Sequence, residues 1–247
     1  MRLRIVTPII TRGLRELSDL KALECQGLQI EHTLIDEGPS SIEGASDEAL
    51  AAPAVIAAAV QAERDGCDAV LIDCFGDPGL NGAREQVRIP VLGPGEVSLH
   101  TAAMLGDRFA VISVLDRVRP LLMNLVRQYG LTDRLAAMRM VNMPVLDLHT
   151  GMAALQQAMA AAAVAAVRDD GADVIVLGCT GFHGCAACVG DALAAAGLEV
   201  PVIDPIPVTV QMARSLVTSG LRHSKRTWPT PTCKPVAGFE GLQRALG

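Results

Sequence analysis

One stretch of this chain occurs twice, and that constrains the fold more than any other feature. Residues 65–79 align without a gap on residues 170–184, with six of fifteen positions identical at an offset of 105. Cys74 falls on Cys179, and the flanking Asp-Gly and Gly positions are shared. Neighbouring segments keep the same order in both halves. Residues 3–8 match 108–114 in pattern, 33–36 match 144–147, and 89–92 match 200–203. A period near 105 residues is far too long for a stacked solenoid. It predicts two similar parallel-sheet α/β domains about a pseudo-twofold axis, with an active site in the cleft between them. A chain of 247 residues has room for both.

The local pattern agrees. Residues 3–7, 29–35, 69–73 and 90–92 read as strands, each ending near a Gly or Pro. Between the second and third lies an Ala-rich helix from about Asp47 to Asp65, with Ser46 as its N-cap and Gly66 as its stop. Pro53 predicts a kink there, or a helix start just before it. Strand and helix alternating in this way imply parallel sheets. The expected organisation is a first domain of residues 1–98 plus about 206–221, and a second of 99–205. Residues 222–247 read as an extended, basic, Pro-rich tail, either draped on a neighbouring subunit through Trp228, the one anchor available to it, or disordered and solvated.

Composition excludes several roles. The formal net charge is −6, whereas nucleic acid or an anionic membrane calls for a basic surface. Four Phe, one Trp and one Tyr are too few for base-stacking platforms. The longest apolar run, 158–167, is ten residues, too short to span a bilayer. The first ten residues lack the apolar stretch of a signal peptide. Seven cysteines, an odd number, suit a reducing compartment better than a disulfide framework. We therefore expect a soluble cytoplasmic homo-oligomer acting on a small molecule, with no nucleic-acid or membrane partner.

The chemistry points to the paired thiols. Each follows an apolar strand and precedes a Gly-containing turn expected to open a helix. Ligands of open α/β sheets bind at the carboxyl ends of the strands. A helix N-terminus beside a thiol favours the thiolate. Backbone N–H groups of Phe75, Gly76, Thr180 and Gly181 would hold a carboxylate or stabilise an enolate oxygen. Two acid/base groups placed as mirror partners are what inversion of a stereocentre requires. The structural alternative is a pair of buried, inert cysteines.

Three segments carry a resemblance: residues 38–44 (Gly-Pro-Ser-Ser-Ile-Glu-Gly), 73–80 (Asp-Cys-Phe-Gly-Asp-Pro-Gly-Leu) and 177–181 (Leu-Gly-Cys-Thr-Gly). Over residues 1–221 the chain resembles the aspartate/glutamate racemase superfamily, and within it the hydantoin racemase branch. The resemblance implies two facing α/β domains, Cys74 and Cys179 as the catalytic acid/base pair, and no cofactor. It places Ile42 against the substrate, and Gly76 and Thr180 on substrate oxygens. Two departures bear on the substrate. Amino-acid racemases of the superfamily usually carry Asn-Thr after the first Cys and His after Cys-Thr, whereas this chain has Phe75, Gly76 and Gly181. The hydantoin branch commonly has Pro-Asn-Thr after its first strand, and this chain has Pro8, Ile9, Ile10 and Thr11. A neutral ring fits better than a free amino acid. The expected reaction is inversion at C5 of a 5-monosubstituted hydantoin. Allantoin racemisation, diacid cis-trans isomerisation and malonate-type decarboxylation are the alternatives on the same scaffold.

Other candidates are weaker. His183, Cys185 and Cys188 sit near Cys179 and admit zinc, a redox Cys-x-x-Cys or a regulatory metal module. No second ligand pair follows, so the expectation is no metal. His32, His100 and His149 read as isolated structural histidines. Asp77 and Glu96 read either as supports of the site or as solvated turn residues.

Overall fold

Two four-stranded sheets carry the chain, and every strand pair in both is parallel. The computed structural model describes all residues except 16, 149, 183, 233, 235–237, 240, 242 and 245–247. In order, the first elements are β1 (Arg2–Thr7), α1 (Leu17–Lys21), β2 (Gln29–Leu34), α2 (Ala45–Arg64), β3 (Ala69–Ile72), α3 (Leu80–Gln86) and β4 (Val91–Leu92). Then come α4 (Pro94–Leu105), β5 (Phe109–Ser113), α5 (Arg119–Gln128), β6 (Leu135–Met140), α6 (Met152–Arg168), β7 (Val174–Leu177), α7 (Cys185–Ala195), β8 (Val202–Ile203) and α8 (Pro205–Thr218). The chain divides into two compact units, Met1–Gly93 with Thr209–Gly247, and Pro94–Val208.

The strand orders are β2-β1-β3-β4 and β6-β5-β7-β8, the same topology twice. Register matches as well. Val6 pairs with Ile72 in the first sheet and Ile112 with Leu177 in the second. In each sheet the order reverses between the first strand and the third, which is where open α/β sheets hold ligands. The central strands β3, β5 and β7 are buried at every position. A parallel sheet covered on both faces demands this, so these strands read as continuous apolar runs.

In the first unit, Val6, Val70 and Ile72 meet the buried stripe Ala51, Val55, Ala59 and Ala62 of α2, with Leu80 and Ala83 of α3. Small residues on that stripe let the helix lie close. A side chain at Gly79 would come within 3.0 Å of Ala52 O and 3.2 Å of its Cα. Gly79 also has φ +73°, so glycine is required there twice over.

Several sequence expectations need correction. The helix α2 starts at Ala45, and Gly44 holds the cap position with no side-chain cap. Ser46 is therefore inside the helix; Asp47 instead reaches back to accept the Glu43 N–H at 2.9 Å. The helix runs through Pro53 rather than starting before it. Residues 144–147 do not match β2, since Val145–Asp147 form a single 3-10 turn. The counterpart of β2 is β6: Leu34 pairs with Thr7 as Met140 pairs with Ser113.

Residues 222–228 are not a free tail. His223 Nε2 meets the backbone of Val91 on β4 at 2.9–3.0 Å. Lys225 Nζ donates to Arg84 O and Glu85 O, both at 2.8 Å, satisfying carbonyls at the end of α3. Trp228 lies under the Arg84 guanidinium at 5.0 Å and edge-on to His223 at 5.4 Å. The segment is a strap on α3 and β4 of its own unit. No described helix is long and apolar enough to cross a membrane.

Candidate active site

Each unit presents its cysteine on a turn that leaves the third strand of its sheet. In the first, the Asp73 N–H still donates to Val6 O at 2.8 Å, the last ladder bond of β3. Cys74 then departs, and its carbonyl accepts the Asp77 N–H at 3.1 Å. In the second, the Gly178 N–H donates to Ile112 O at 2.7 Å, and Cys179 O accepts the Phe182 N–H at 3.1 Å. Both thiols are half-buried. Gly79 and Gly184, at equivalent places, adopt left-handed φ of 73° and 78° and start α3 and α7.

Those helices begin at Leu80 and Cys185. Each cysteine thus precedes a turn that leads into a helix, as expected, and in the second half a single 3-10 turn, Thr180–Phe182, follows Cys179 directly. In the first half residues 75–79 separate the thiol from the start of α3. The N–H groups close to the thiols in sequence belong to the turns themselves. Those of Phe75 and Gly76 meet no acceptor among the described residues.

Around Cys74 the residue types are charged, and sequence reasoning missed this. The Asp73 carboxylate is buried and takes a bidentate fork from Arg15, Nε to Oδ2 at 2.8 Å and Nη2 to Oδ1 at 2.9 Å. Thr7 Oγ1 donates to Asp73 Oδ2 at 2.9 Å and lies 2.8 Å from His32 Nε2. A carboxylate only accepts, so the threonine proton goes to Asp73 and the Nε2–H of His32 must donate to Thr7. Burial lowers the His32 pKa against the opposing pull of Asp73, which suits this neutral tautomer. His32 is thus tied into the Cys74 turn rather than isolated. One signal was available: an acid at the end of an apolar strand needs a buried partner.

Pro8 is buried at the end of β1, and the loop it opens is sewn to the 38–42 segment. The Ile10 N–H donates to Pro39 O at 3.0 Å and Thr11 Oγ1 to Ser40 O at 2.7 Å. Ile42 is half-buried against the core under α2. The structure therefore brings Pro8, the Ile42 segment, Cys74, Phe75 and Gly76 into one region of the first unit. Phe75 is buried, so its ring serves the core.

Asp77 is not a solvated turn residue. It is 7% exposed, has φ +52°, and lies so close to Gly93 that any side chain there would overlap its carboxylate. Glu48, one turn before Ala52 on α2, has a buried Oε1 with no hydrogen-bond partner among the described residues. Burial, and then the charge of Asp77, push its carboxyl up to about 7.

At the Cys179 turn Gly178 stands where the first unit has Asp73. Ser113 Oγ donates to Gly178 O at 2.9 Å, the counterpart of Thr7 and Asp73. Thr180 is buried, and Gly181 lies against the thiol. A Cβ at Gly181 would sit 3.4 Å from Cys179 Sγ and only 2.8 Å from Leu148 Cδ1. Leu148 therefore fills the space that a histidine at this position would need. Cys185 and Cys188 share the first turn of α7. Burial, then Cys188 and Asp204, push the Cys185 thiol up to about 11, so it is protonated at neutral pH and a poor metal or redox ligand. Among the described residues no group of three or more His, Cys, Asp and Glu is placed to hold a metal. His149 and His183 lie outside the described residues. His100 stacks obliquely on Tyr129 at 5.9 Å, and Glu96 is half-buried in the first turn of α4.

Comparison with known proteins draws these features together. Residues 9–213 match the family model for Asp/Glu/hydantoin racemases. The chain is 38% identical over 238 residues to a hydantoin racemase of Paenarthrobacter aurescens, covering 95% of this chain and 99% of that one. It is 35% identical to a hydantoin racemase of Pseudomonas sp. (strain NS671), covering 96% and 95%. Among solved structures it is similar to the allantoin racemase from Klebsiella pneumoniae, with a TM-score of 0.91 and 34% identity over 98% of both chains.

Proposed function

The chain is a racemase of the Asp/Glu/hydantoin racemase family, and from that premise we propose that it inverts C5 of 5-monosubstituted hydantoins with Cys74 and Cys179 as the acid/base pair. One observation carries the reading. The two thiols occupy equivalent turns after the third strand of two sheets that share strand order and register.

In this reading one cysteine, as thiolate, takes the C5 proton from one face of the ring. The electron pair passes into the adjacent carbonyl as an enolate. The other cysteine, as thiol, returns a proton to C5 on the opposite face, and the enolate collapses. The first thiol ends protonated and the second ends as thiolate, so the next turnover runs the other way. N–H groups of Phe75 and Gly76 in one half, and Thr180 with Gly181 in the other, are suited to the ring oxygens as charge develops. Thiols and amides carry every step, so no cofactor is needed.

Loss of the polar residues that amino-acid racemases carry favours a neutral ring. Leu148 against Gly181 closes one such position physically. Allantoin is itself a hydantoin with a ureido group at C5, so the likeness to an allantoin racemase keeps it in the substrate panel.

The test is polarimetry on single enantiomers of hydantoins with apolar C5 groups, allantoin, L-aspartate and L-glutamate. Optical rotation of an apolar-substituted hydantoin should decay fastest, and that of the free amino acids far more slowly. A free amino acid as best substrate overturns the substrate assignment. Cys74→Ser and Cys179→Ser should each lower the racemisation rate by about a thousandfold or more, since a hydroxyl cannot replace a thiolate base. In heavy water each variant should exchange the C5 hydrogen of one enantiomer only, opposite enantiomers for the two variants. Full racemisation by either variant would reject the pair.

A further inference from the structure

A carboxylate next to an acid/base thiol opposes the thiolate, yet Asp73 immediately precedes Cys74. Its side chain is 1% exposed and that of Arg15 7%, so the pair is buried and weakly screened. The fork geometry uses both carboxylate oxygens. Arg15 belongs to the connection after β1, the one that opens with Pro8 and is tied to Pro39 and Ser40. One ion pair thus joins the Cys74 turn to the loop that borders it.

We propose that Arg15 is a positioning residue for Cys74: it cancels the Asp73 charge beside the thiol and holds the 8–15 connection against the turn. The proposal rests on the reading of Cys74 as an acid/base residue. Among the described residues, other titratable groups about this turn include His32 on β2, which bears on both Asp73 and Arg15, and Asp77 with Glu48 of α2. The second unit needs no such device, because Gly178 stands where Asp73 does.

The experiment alkylates the full chain with iodoacetamide at a fixed pH of about 7.5 and follows Cys74 and Cys179 separately by peptide mass spectrometry. One pH unit in a thiol pKa is about a tenfold change in thiolate fraction. Arg15→Met removes the guanidinium charge facing Asp73 and should slow Cys74 about threefold or more. Asp73→Asn removes the carboxylate charge while keeping the guanidinium and should speed Cys74 by a similar factor of about three. Arg15→Lys keeps the charge and should stay near the wild-type rate. Cys179 should be unchanged in all three. A purely structural role would loosen the turn and speed Cys74 in both of the first two variants. That result, no change at Cys74, or equal changes at Cys179, overturns the proposal. Should Arg15→Met fail to fold, Arg15→Gln, which keeps a donor to Asp73 without the charge, takes its place: a slower Cys74 supports the proposal, and a faster or unchanged one overturns it. Alkylation needs no substrate, so a wild-type protein that racemises no hydantoin overturns the substrate reading separately.

Discussion

The two units share a frame and differ in what they put into it. In both, a hydroxyl at the end of the first strand bonds the residue that precedes the cysteine: Thr7 to Asp73, and Ser113 to Gly178. In the first unit that residue is a buried carboxylate clamped by Arg15. In the second it is a glycine with β5 pressed against it. What the two copies share is the backbone ladder, Asp73 N–H to Val6 O and Gly178 N–H to Ile112 O, because each copy must satisfy those groups. It leaves the electrostatics around each thiol free to diverge.

The comparison breaks most directly at Gly178. A Cβ there would lie 2.5 Å from Val111 Cγ1 and 3.2 Å from Ser113 Cβ. Gly178→Asp would imitate the first unit without an arginine to match, burying an unpaired charge in a space too small for it. It should cost about 3–5 kcal/mol, read as a fall in the urea midpoint. A wild-type midpoint would show that the second turn tolerates the chemistry of the first.

A smaller effect is expected from the strap, which the first unit has on α3 and β4. Trp228→Ala removes the contacts with Arg84 and His223 and should destabilise by about 1–2 kcal/mol in the same assay. Unchanged stability would mean that His223 and Lys225 hold the strap alone.

The smallest effect tests the acid behind the first turn and depends on pH. Folding raises the Glu48 carboxyl from 4.5 to about 7. The folded state therefore binds a proton that the unfolded state has released, and stability falls as pH rises from about 4.5 through about 7. Glu48→Gln removes that loss. Its melting temperature should exceed the wild type by about 2–4 °C at pH 8, with no gain at pH 4. An equal gain at both pH values would reject the ionisation argument.

Most of the frame was legible in the chain because it rests on local pattern. Apolar runs of four or five residues, the alternation of strand and helix and the 105-residue offset lead to two parallel sheets. The cysteine turns were legible for the same reason, since the repeat marks them. The details that failed were helix starts and the environment of each turn. Ser46 looked like a cap on composition alone, but Gly44 reaches that place first. Asp77 read equally as a support of the site or as a solvated turn residue, and only its contact with Gly93 shows it to be buried.

The sequence by itself thus determined the two-unit plan, the parallel ladders and the equivalence of Cys74 and Cys179. These follow from residue order and from backbone groups that must pair within neighbouring segments. Only the tertiary structure decided that Arg15 meets Asp73 across 58 positions, that Lys225 caps α3 from about 140 positions away, and that Leu148 fills the space beside Gly181. Such contacts carry no periodicity along the chain. They form because packing brings a buried charge or an open carbonyl to the one partner within reach, and burial makes leaving it unpaired too costly.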